Sequence, residues 1–241
     1  MALTFTFDGE SSATHNITIE RVLHDVLPPT RDRDIIIPGK RGRYPLDTDL
    51  DQHTMTFVCR IVETTYDGVY TRAENIAAWL NPEKGVKELT FSARTGRTFK
   101  AKISGITPVD QMLIRGRFNV AFIIPDGVAY GTEATWNTGE PTIDNAGTTK
   151  SPAIITATIA TATPYFEIDI AGVTLRLDMG LAITDVIIID TEHRTVTVNT
   201  IDSRSKLTTY AWPEINPSTD NVVTVDPIDT VLEIKYRPRW L

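Results

Sequence analysis

Apolar residues recur at every second position through much of this chain, the period of a strand with one buried face. In LTFSARTGRTFKAKI, Leu89, Phe91 and Ala93 share one face, a turn at Gly96 follows, and Phe99, Ala101 and Ile103 return on one face. That pattern predicts a β-hairpin. Phe118, Val120, Phe122 and Ile124 predict a further strand, ended by Pro125 and Gly127. Later, AIITATIA, YFEIDIAGVTLRLDM, DVIIIDTEHRTVTVN, NVVTVD and VLEIKYRPRW read as short strands at the spacing of a β-sandwich. VIIIDTEHRTVTV should turn on Thr191-Glu192-His193-Arg194.

One segment changes period. Thr71-Arg72-Ala73-Glu74 has the form of a capping box, in which a hydroxyl and a carboxylate each satisfy a free N–H at a helix start. Ala73, Ile76, Ala77 and Leu80 then follow at helical spacing, and Asn81-Pro82 ends the run, because proline disfavours helical geometry in the residue before it. A single helix is predicted over about 71–80. Between Tyr130 and Pro152 the chain turns to Gly, Thr, Asn and Pro with few large apolar side chains, which marks a boundary. The expectation is a mainly β protein of two domains, 1–132 with the one short helix and 133–241 as a sandwich. No internal repeat is found.

Composition narrows the functional classes. The 241 residues, 41% of them apolar, suffice for one large core or two ordinary ones. The net charge of −7 is unevenly placed: up to Tyr130 there are 16 basic and 16 acidic residues, and the remainder holds 8 against 15. A basic domain able to release phosphate counterions is absent, which argues against sequence-specific nucleic-acid binding. Cys59 is the only cysteine, so no intramolecular disulfide can form. No stretch approaches the roughly 18 apolar residues of a membrane span, and MALTFTFDGE does not read as a secretory leader. Without a leader, the sequon at Asn16-Ile17-Thr18 is expected to be silent.

Candidate chemistry fares poorly. His15, His24, His53 and His193 stand far apart in sequence, without zinc-site spacing, and no Gly-x-Ser-x-Gly elbow, P-loop or dinucleotide fingerprint occurs. Cys59 alternates with Met55, Phe57 and Ile61 and reads as a core residue. Asp47, Asp49 and Asp51 open like a calcium loop, but Gln52 stands where glycine is needed and Val58 where a bidentate glutamate is needed. Gly39-Lys40-Arg41-Gly42 fits the Gly-x-x-Gly of a KH domain, yet strands, not helices, flank it. Glu167 and Asp169 read as neighbours on an exposed strand face rather than a glycosidase pair. Trp136, Tyr210 and Trp212 are weak candidates for stacking on a sugar; packing is the commoner use of such rings. No enzyme activity, cofactor or metal is expected.

The stretch IIIPGKRGRYPLDTDLDQHTMTFVCRI, residues 35–61, joins two apolar runs through a firm turn and a charged loop. Ile37-Pro38-Gly39-Lys40 has the residue choice of a type II turn. Ile-Pro-Gly, a basic residue and Gly42 before an alternating strand resemble a segment of the siphophage distal tail protein family. The short helix ending in Trp79-Leu80, the TGRTFKAKI hairpin and FIIPDGVAYG follow in the family's order. In the latter half Asn137 to Gly139, Pro152, IIIDTEHRTVTVN, WPEINPSTDNVV and IKYRPRWL complete the resemblance, which covers essentially the whole chain. One departure is the paired cation Lys40-Arg41, where family members often place an acidic residue and glycine after the arginine.

The resemblance implies an N-terminal belt domain, six copies of which close a ring, and a C-terminal galectin-like β-sandwich. It implies a structural hub at the distal end of a virion tail, made in the bacterial host cytoplasm. The ring would join the tail tube protein to tail-tip or baseplate proteins and the receptor-binding protein, with DNA passing through its channel. The contact between subunits, or with a stacked tail protein, is expected at Pro38, Gly39, Lys40, Arg41, Gly42, Arg43, Asp47, Asp49 and Asp51, the cations facing carboxylates. Two other readings stand beside it: a carbohydrate-binding module that adheres to the host surface, and a tail-tip glycan hydrolase.

Overall fold

The structure, a computed structural model, describes residues 3–25, 27–105, 108–217 and 220–241. Met1 and Ala2 of the opening stretch and Ser218 and Thr219 of WPEINPSTDNVV lie outside the described residues. The chain forms two compact units, Met1–Ala129 with Leu241, and Tyr130–Trp240.

The first unit contains strands β1 (Phe5–Phe7), β2 (Glu10–Ser11), β3 (Thr18–His24), β4 (Thr30–Ile35), β5 (Tyr44–Leu50) and β6 (His53–Val62). Helix α1 (Tyr66–Trp79) follows, then β7 (Lys87–Phe91), β8 (Thr98–Ser104), β9 (Asp110–Met112) and β10 (Arg115–Ile124). Hydrogen bonding runs in the order β2-β1-β7-β8-β10-β6-β3, while β4 and β5 pair only with each other. β1 and β6 are four steps apart along this path, about 19 Å in a flat sheet. Yet the Phe5 and Phe57 rings lie 4.9 Å apart, so the sheet curls to bring its two ends together around the fully buried Phe5, Phe7, Phe57 and Phe122.

The predicted hairpin is formed by β7 and β8, with Leu89 opposite Phe99 and Gly96 at a φ of 75°. The helix starts earlier than expected. Thr65, not Thr71, is its N-cap, accepting a hydrogen bond from the Gly68 N–H at 3.1 Å, while the Thr71 hydroxyl donates back to the Asp67 carbonyl. The buried stripe is therefore Val69, Ile76, Trp79 and Leu80, and Ala77 faces solvent. Trp79 anchors the helix: its Nε1 donates to the Phe7 carbonyl at 3.0 Å and its ring stacks on Phe5 and on His15.

In the second unit, after the two-residue strand β11 (Ala129–Tyr130), come β12 (Ala134–Asn137), β13 (Ala153–Thr158), β14 (Thr163–Ile170), β15 (Val173–Leu181) and β16 (Val186–Asp190). β17 (Thr195–Val198), β18 (Ile201–Asp202), β19 (Val223–Asp226), β20 (Val231–Tyr236) and β21 (Arg239–Trp240) complete it. A six-stranded sheet, β12-β20-β13-β16-β17-β18, and a three-stranded sheet, β15-β14-β19, enclose a core that includes Ile155, Ile187 and Ile234 from the first and Phe166, Ile168 and Leu175 from the second. The polar stretch after Tyr130 is built into this sandwich. Trp136 of β12 enters the core, and the buried Asn145 amide donates to the Thr149 and Ile215 carbonyls and to the Ser151 hydroxyl. Side-chain hydrogen bonds there replace the apolar anchors that the composition lacks.

Candidate functional site: an exposed apolar arm

The stretch expected to be a charged loop is a β-hairpin arm. β4 and β5 run antiparallel, with Arg31 opposite Asp49 and Arg33 opposite Asp47, and a register shift follows Arg33. The type II turn is present in the connection: the Lys40 N–H donates to the Ile37 carbonyl at 3.1 Å and Gly39 has a φ of 83°, a backbone region costly for any side chain. The base is closed by a 2.7 Å hydrogen bond from the Asp51 N–H to the Pro29 carbonyl, and the Asp51 carboxylate accepts from the Gln52 N–H.

Most of the charge on the arm is answered within it. Asp49 accepts from Arg33 Nη2 at 2.7 Å and from Arg31 Nη2 at 3.4 Å, Arg43 reaches Asp34 at 3.2 Å, and the Thr48 hydroxyl donates to Asp32. Asp47 accepts the N–H of Thr48, and Lys40 Nζ lies 3.7 Å from the centroid of the Tyr44 ring. Arg43 and Asp49, two of the residues expected at a contact with a partner, are thus ion-paired within the arm itself. Arg41 makes no ion pair among the described residues.

The feature that charge-based reading missed is apolar. Ile35, Ile36, Ile37, Tyr44, Leu46 and Leu50 are all exposed, Ile36 to 66% and Leu46 to 64%. No residue of β4 or β5 is buried, so the arm has no core of its own. A lone two-stranded hairpin is marginally stable at best, and its exposed ion pairs contribute little. Burying one such side chain stabilises by about 1.5–3 kcal/mol, so a surface that covers the arm would dominate its energetics. The alternation of Arg and Asp from Arg31 to Asp34 opposite Asp47 and Asp49 was the available signal for the hairpin.

The sugar-stacking candidates separate. Trp136 is 6% exposed in the sandwich core, which corrects it to a packing residue. Tyr210 and Trp212 line one cavity of the second unit. Among the described residues no group of three or more His, Cys, Asp and Glu is placed to hold a metal, and no helix is long and apolar enough to cross a membrane.

Comparison with known proteins bears on both units. Residues 10–124 match the model of the phage tail protein RIFT-related domain, and residues 146–240 match that of the siphovirus-type tail component, C-terminal domain. The two matches stand in order and leave only the termini and the junction uncovered. The chain belongs to the siphophage distal tail protein family. Its fold is that of the SPP1 Dit (gp 19.1) protein, described as a paradigm of hub adsorption apparatus in phages infecting Gram-positive hosts. The TM-score is 0.82 at 16% identity, over 100% of both chains. A chain of the phage p2 baseplate in its activated conformation with Sr aligns over 98% of both chains at 8% identity, with a TM-score of 0.45. No curated protein matches. As a distal tail family member the protein is a hub-type structural component of a phage tail and hence of the virion.

Proposed function

We propose that six copies of this distal tail protein close into a ring at the end of a long non-contractile tail. The ring joins the tail tube protein to tail-tip or baseplate proteins and the receptor-binding protein, and passes DNA through its channel. The observation that carries this reading is the arm: an exposed hairpin with six large apolar side chains and no core. A contact between one patch and a different patch on an identical neighbour repeats around a closed ring, so a single arm serves every pair of subunits. The equal numbers of basic and acidic residues up to Tyr130 suit a unit that encircles DNA without holding it. The role is structural, without catalysis. Negative-stain imaging of the purified protein tests it: closed rings with an open centre wide enough for a duplex are expected. Open filaments or isolated single chains would overturn the ring.

A further inference from the structure

The second unit carries a cavity of about 320 Å³ whose lining has no part in the proposed ring. Three segments build it. The β16–β17 turn supplies Glu192 and Arg194, the strand-free stretch before Ile215 supplies Tyr210, Trp212 and Glu214, and β21 supplies Arg239. Each segment is pinned. Asp190 accepts the N–H groups of Glu192 and His193 and fixes the turn. The aromatic stretch is held at one end by the Thr208 N–H on the Arg176 carbonyl, and at the other by paired hydrogen bonds between Ile215 and Ser151. The Arg239 carbonyl accepts from Thr148 and Thr149, and its Nη2 lies 2.6 Å from Glu192 Oε1.

The chemistry of the lining selects a ligand class. Two guanidinium groups face two carboxylates, so the cavity offers no net charge to attract an anion or a cation. Both kinds of hydrogen-bonding partner are left over: the Glu214 carboxylate and the Arg194 guanidinium make no ion pair or hydrogen bond among the described residues. Unused donors and acceptors at the edge of a cavity suit a neutral molecule rich in hydroxyls. Tyr210, 69% exposed, and the half-buried Trp212 add flat apolar faces, and an exposed tyrosine ring beside polar groups is a ready contact surface. Ligand sites typically join such aromatic area to a few placed polar groups.

We infer that this cavity binds a neutral pyranose unit of a glycan. A C–H face of the sugar lies on Trp212 or Tyr210, and its hydroxyls donate to Glu214 and accept from Arg194. The site is independent of the ring. The full chain is titrated by calorimetry with maltotetraose, cellotetraose and chitotetraose, and separately with inorganic phosphate. Saturable binding of at least one oligosaccharide is expected. Tyr210→Ala and Glu214→Gln, both outside the core, should each weaken it at least tenfold with an unchanged melting temperature. Trp212→Phe should retain part of the affinity. No binding by any of the three, binding indifferent to both Tyr210→Ala and Glu214→Gln, or binding of phosphate in place of sugar would each overturn the assignment.

Discussion

Arg33 reaches across the arm to place its Nη2 2.7 Å from Asp49 Oδ2, so a cation of β4 is paired with an acid of β5 within one hairpin. Arg33 is well exposed and Asp49 half-buried but open to solvent, and pairs that solvent reaches contribute about 0–1 kcal/mol. Asp49→Asn should therefore change the denaturant-derived stability of the monomeric chain by less than about 1 kcal/mol. A loss above about 2 kcal/mol would mean that the pair holds more than the arm's own register.

The apolar tip behaves differently. Ile36→Asp should leave the melting temperature of the separated chain unchanged, because the side chain is already in water. Sedimentation should show assembly weakened by about 2 kcal/mol per contact, from the burial that is lost. Over a closed ring that shifts the population to small species. Equal sedimentation of variant and wild type would remove the tip from the interface.

Lys40 and Arg41 are the tip cations that no carboxylate of the arm neutralises among the described residues. Reversing both to glutamate should weaken assembly at low ionic strength, and less as salt is raised to the point where the screening length falls to a few ångströms. A ring of unchanged stability after the double reversal would leave the arm contact purely apolar.

Cys59 lies wholly buried on β6, and burial, aided by Glu20, pushes its thiol up to about 12. The folded-state value lies above the ordinary one, so the stabilisation is fully present below the usual thiol range and is lost as pH rises toward 12. At pH about 8 a thiol reagent should label the unfolded chain and spare the native one. Rapid labelling of the native protein would contradict the burial.

What could be read from sequence depended on whether a segment buries one face. β8 and β10 do, and their alternation from Phe99 to Ile103 and from Phe118 to Ile124 located both strands. The helix start was misplaced because Asp67 and Gly68 resemble a turn, and only the Thr65 hydroxyl on the Gly68 N–H shows the cap. β4 and β5 bury neither face, so apolar periodicity had nothing to report; their pairing is written in charge instead. Trp136 and Trp212 both stand in polar stretches of sequence; pairing of β12 with β20 puts the first inside the core, while the second packs half-buried against it. The joining of Tyr210 and Trp212 with Arg239 depends on a long-range return of the chain, which no local pattern announces.

If the arm lets this distal tail protein close on copies of itself, assembly must depend on the arm's apolar side chains. Native mass spectrometry of the purified chain tests that most directly. A dominant particle of six chains is expected, and it should dissociate when Ile36 and Leu46 are both replaced by aspartate. A single chain of 26.8 kDa throughout the accessible concentration range would contradict it, as would a hexamer that survives the double replacement.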